Sequence, residues 1–175
     1  APRNRDYQRD LGSLVGKDVT VQGFSVGIRV ATNSNRWDLF ENGTWGAPQT
    51  YVGAAAFFQP GGGMRFSFNE GPVAQVGGFM NDGFDSNSIG SDDHLTIRAL
   101  DAGMNVLEAY DITDLAGIVT PGGVNAGAFR GIVRPTADIA YFEVIGFRPV
   151  LDNLTFSNAT SSAYSIDDGS AEASV

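Results

Sequence analysis

The sequence predicts an all-β chain folded as a two-sheet antiparallel β-sandwich of jelly-roll type, and three observations lead there. Apolar and polar side chains alternate wherever a period is visible. Spacing of the helical kind is never sustained over three turns. Gly, Pro, Asn and Asp cluster between about eight to eleven short apolar stretches, and a single open sheet of that size would leave one apolar face in water.

The first stretch carries Val19 and Val21 on one phase, then Phe24, Val26, Ile28 and Val30 on the other. A one-residue slip beside Gly23 reads as a β-bulge in one long strand. Arg36 to Phe40 and the apolar run Tyr51 to Phe58 follow as strands. Met64 to Phe68 alternates cleanly, and Pro72 to Phe79 continues after Asn69-Glu70-Gly71-Pro72, so the two are expected to form a hairpin. The clearest hairpin signal is His94 to Ala99, the turn Asp101-Ala102-Gly103, and Asn105 to Tyr110. Asp111 to Val119 is the one place for a brief helix. Gly127 to Val133, Asp138 to Arg148 and Val150 to Phe156 supply the last strands, and the nearly continuous apolar run of the second suits a strand covered on both faces.

The 175 residues divide into an N-terminal extension (1–16), a sandwich domain (17–160) and a C-terminal tail or exchanged strand (161–175). The net charge of −9 repels a phosphate backbone, which argues against nucleic-acid binding. No run of about 18 apolar residues occurs, so no membrane insertion by a helix is expected. One His and no Cys exclude thiol nucleophiles, zinc ribbons and multi-His metal sites. Ala1-Pro2-Arg3 opens the chain as a processed signal peptide would leave it, which points to a secreted or cell-surface protein.

Taken in order, Met64 to Phe68, Pro72 to Phe79, Leu95 to Leu107, Ala128 to Val133 and Val150 to Phe156 resemble the β-sandwich ectodomains of PEP-CTERM-type exported bacterial proteins. The resemblance covers a little over half of the chain. It implies an extracellular jelly roll similar to carbohydrate-binding modules, and it brings no catalytic residues. The sorting signal of that family, a Pro-Glu-Pro motif with an apolar helix and a basic end, does not follow Phe156.

Three sets of residues are candidates for function. The acidic loop from Asn81 to Asp93 offers Asp82, Asp85, Asn87, Asp92 and Asp93 as oxygen ligands, and calcium takes six to eight of these. The EF-hand pattern fails at Ile89 and Thr96. Asp152 is a second metal candidate that can equally hold a turn by accepting backbone N–H groups. Trp37, Trp45 and Tyr51 form a carbohydrate-binding candidate beside Asn35, Asp38 and Asn42, with core packing as the alternative. In the tail, Tyr164 and Ile166 fit strand addition to a neighbouring copy. No carboxylate pair or nucleophile motif emerges, and His94 stands alone, so the protein is read as non-catalytic. Two functions remain: a secreted structural subunit that self-associates in a layer, matrix or filament, with calcium, and a calcium-dependent module that binds polysaccharide.

Overall fold

The computed structural model describes residues 8–10, 19–24, 27–31, 37–46, 51–55, 62–83, 94–116 and 119–158. Among these, the strands are β1 (Gln8–Asp10), β2 (Val19–Phe24), β3 (Gly27–Ala31), β4 (Trp37–Asp38), β5 (Thr44–Trp45), β6 (Tyr51–Ala55) and β7 (Gly63–Phe68). They continue as β8 (Gln75–Asn81), β9 (Thr96–Leu100), β10 (Val106–Asp111), β11 (Val124–Asn125), β12 (Ala128–Val133), β13 (Tyr141–Ile145) and β14 (Val150–Ser157). The brief helix is one turn, Thr113–Ala116.

Two large antiparallel sheets face each other. One has six strands in the order β1-β2-β7-β13-β9-β10, and the other has five in the order β12-β8-β14-β6-β3. Between them lies one apolar core, to which Val21, Phe66, Ile97, Phe142 and Val144 come from the first sheet and Val76, Met80, Ile132, Leu151 and Leu154 from the second. β7, β8 and β13 contribute alternate residues, as the period of two requires, whereas β14 contributes Leu151 and Leu154, three positions apart.

Two local expectations give way to the sandwich. Met64 to Phe68 and the strand that follows it do not pair as a hairpin. β7 lies between β2 and β13, whereas β8 lies between β12 and β14 in the opposite sheet. The Asn69 to Pro72 connection crosses the core edge, so both alternating strands bury their apolar phase against the same interior. The slip at Gly23 is likewise not a bulge in one strand, because β2 belongs to the six-stranded sheet and β3 to the five-stranded one. The β9–β10 hairpin forms as read. Asp101 Oδ1 organises its turn by accepting N–H bonds from Gly103 and Asn105, both at 2.8 Å. Gln8–Asp10, within the stretch read as an extension, pairs antiparallel with β2.

A third, three-stranded sheet, β11-β5-β4, lies on the outer side of the five-stranded sheet. Its own small core joins Trp37, Leu39 and Trp45 to Val150 of β14. The rings come this close because glycines sit beneath them: a Cβ on Gly53 would stand 2.9 Å from the Trp37 ring, and one on Gly127 would stand 2.6 Å from the Trp45 ring.

Candidate functional site

The outer face of the five-stranded sheet is divided in two. Register sets its cross-strand rows. Gly53, Val150 and Asn81 share one row, and this is the half that carries the Trp37 and Trp45 sheet. The next row runs Tyr51, Asp152, Phe79, Phe129. Beyond it come Thr155, Gly77, Gly131 and then Ser157, Gln75, Val133.

A bulge in β14 creates the last two rows. Asn153 and Leu154 together oppose the single residue Gly78, so the phase of the strand shifts by one. Asn153 takes the left-handed conformation, with φ 52°, and its N–H donates to Asp152 Oδ1 at 2.7 Å. Were the same residues to run on in regular alternation without the bulge, Thr155 and Ser157 would turn inward and Leu154 outward.

The uncovered rows form a groove of about 190 Å³ lined by Gln75, Gly77, Phe129, Gly131, Val133, Thr155 and Ser157, with Val76, Ile132 and Phe156 beneath. Gly77 and Gly131 are register partners; Gly131 is exposed, whereas Gly77 is buried and lies under the Phe129 ring, whose Cζ would stand 3.2 Å from a Cβ there. Phe129 is 48% exposed and Phe79 is 39% exposed, in a sheet whose inner face is close-packed. The two rings meet edge to face, with centroids 5.4 Å apart and planes at 76°. The two rings therefore support one another on the sheet face. The Thr155 hydroxyl donates to Asn153 O at 3.0 Å, so towards a ligand it presents an acceptor.

The residues singled out in the sequence lie elsewhere. Trp37 and Trp45 are buried, so neither offers a ring face to a sugar. The Trp37 indole N–H donates to Arg148 O at 3.3 Å, and the Arg148 guanidinium stands 5.2 Å from the Trp37 ring and 5.1 Å from the Phe40 ring. Tyr51, the first residue of β6, is the register partner of Asp152. Asp82 is buried beside Asn81, and the Asn42 amide donates to its backbone carbonyl at 2.9 Å. Asn125 and Thr120 in turn donate to Asn42 O, which ties the small sheet to the end of β8. Asp85, Asn87, Asp92, Asp93, Tyr164 and Ile166 lie outside the described residues. Among the described residues no three acidic, His or Cys side chains converge. His94 Nδ1 lies 2.6 Å from Asp111 Oδ2.

Asp152 has 3% exposure, and burial pushes its carboxyl above the usual carboxylate range, against the opposing pull of the Asn153 N–H. Phe79 and Phe129 went unremarked in the sequence although a signal exists. In Ala128-Phe129-Arg130-Gly131-Ile132-Val133, the aromatic ring falls on the phase opposite the core residue Ile132.

No known protein family and no curated protein matches this chain. Among solved structures it is similar to the tandem CBM51 modules of Sp3GH98, the family 98 glycoside hydrolase from Streptococcus pneumoniae SP3-BS71. The identity is 13% and the TM-score 0.44, over 77% of this chain and 42% of that one. This chain thus spans less than half of that structure.

Proposed function

We propose that the protein is a non-catalytic, secreted or cell-surface β-sandwich that binds polysaccharide on the open half of its five-stranded sheet. One observation carries the reading: a half-exposed Phe129 ring that packs against Phe79 and over Gly77, with Thr155, Ser157 and Gln75 alongside. Sugar rings present alternating apolar C–H faces and hydroxyl edges, and a surface of aromatic face plus small polar groups matches both. Among the described residues lining the groove none is ionisable, so the Thr155 and Ser157 hydroxyls have no general base beside them there, and the surface is suited to holding a ligand rather than transforming it. Electrophoresis of the native protein through gels containing soluble polysaccharides tests the reading. Retarded migration in at least one gel is expected, and unretarded migration in every gel contradicts it.

Self-association is the second reading, and the pairing of Gln8–Asp10 with β2 favours it, since the six-stranded sheet takes up a strand from a terminal segment. Tyr164 and Ile166 are its proposed contacts. Light scattering of the full chain against a chain lacking 161–175 tests it: smaller particles after the cut support the reading, and unchanged size removes it. Calcium, proposed at the Asp82 to Asp93 loop and at Asp152, is tested by thermal unfolding with calcium and with chelator. A higher midpoint with calcium is expected.

A further inference from the structure

We infer, resting on the polysaccharide reading, that the ligand is an uncharged glycan whose sugar ring seats an apolar face on the exposed Phe129 ring beside Gly131 and Thr155. Among the described residues, no ionisable side chain lines the groove. The nearest cation on β12, Arg130, donates to the backbone carbonyls of Phe129 and Leu115 and lies on the opposite phase from Phe129. Asp152 lies one row away, and the chain as a whole carries −9. A uronic acid or a sulfated sugar would meet no counter-charge among the described lining residues and would be repelled at long range by the net charge.

Size narrows the occupant further. At about 190 Å³ the groove falls below the roughly 300 Å³ at which drug-sized pockets begin, so it takes one ring-sized unit. A stable protein interface needs about 800 Å² from each partner, far more than a patch built on Phe79, Phe129 and Val133 offers. Because β12 is the edge of its sheet, the groove opens at that side and a polymer can run on beyond the seated ring. The Thr155 hydroxyl, already donating to Asn153 O, accepts from a sugar hydroxyl, whereas a carboxylate would bring a second acceptor against it.

The test is affinity electrophoresis of the full chain in hydroxyethylcellulose, xylan, galactomannan, polygalacturonate and alginate. Retardation is expected in a neutral glycan and not in the two polyanions, and it should be unchanged between about 50 mM and about 500 mM salt. Phe129→Ala should weaken it about tenfold, a loss of the size of one aromatic contact. Thr155→Arg, at an exposed position on the face, should block the groove while leaving the fold intact. Emission from the buried Trp37 and Trp45 verifies folding of each variant.

Retention in polygalacturonate or alginate that fades with salt would overturn the inference while keeping a glycan-binding protein. So would neutral binding that survives both variants. Retention in none of the five overturns the inference and the reading together. Particle size that falls in Phe129→Ala would assign the face to a second copy of the chain and contradict both.

Discussion

Asp152 is an acid kept where burial disfavours its charge. Its folded pKa lies above the unfolded value, so the stability it permits is complete below about pH 4 and is lost as pH rises through the raised folded value. Asp152→Asn keeps an oxygen for the Asn153 N–H and removes the charge. The variant is expected to melt higher than the parent at pH 7 and equally at pH 3, as followed by thermal unfolding at each pH. Glu143 presents the opposite case. It is fully buried on the outer face of the six-stranded sheet, and the partly exposed Arg65 and Arg98, its register partners, hold one carboxylate oxygen each at 2.5 and 2.7 Å. Either arginine alone can still neutralise it. Replacing both with Ala leaves a buried, unpaired charge and should cost about 3 kcal/mol or more, well above the sum of the two single losses. Urea denaturation of the four proteins in the cycle measures the excess.

At the level of strands and sheets, Trp37 and Trp45 fasten the small sheet through the glycines beneath them. Gly127 has φ 73°, and a Cβ there would stand 2.6 Å from both the Met80 carbonyl oxygen and Trp45. Gly127→Ala thus combines backbone strain with a clash that the backbone itself must relieve, and a loss above about 2 kcal/mol is expected. At Gly53→Ala the three nearest atoms all belong to the Trp37 ring, so a side chain rather than the backbone must yield. This variant should cost less and shift tryptophan emission towards the red. What the sequence displays at this level is local. The β9–β10 hairpin was readable because Asp101, Gly103 and Asn105 encode their own turn. The partners of β7 and β8 were not, since sheet membership depends on which distant strand fills the same core. The site was hidden for a related reason: Phe79 and Phe129 sit on separate strands and meet only through register, and Thr155 faces outward only because of the bulge at Asn153. Trp37 and Trp45 drew attention because aromatic rings in a polar stretch look like a platform, while the glycines that bury them are 16 and 82 residues away in sequence.

Taken as one body, the sandwich and its third sheet share β14, where Val150 belongs to the tryptophan core and its neighbour Leu151 to the main core. The small sheet is therefore expected to unfold with the rest: tryptophan emission and far-ultraviolet circular dichroism should give one coincident midpoint in urea. An earlier emission transition would mean that the small sheet opens independently. The same shared strand divides the outer face, covering one half and leaving the other as a ready surface for a ligand. The most direct test is an amide NMR titration of the protein with the neutral polysaccharide that retards it. Shifts concentrated at Gly77, Phe129, Gly131 and Thr155 are predicted. Shifts confined to the Phe40 and Arg148 rim, with the groove amides unmoved, would contradict the assignment of the open sheet face as the binding surface.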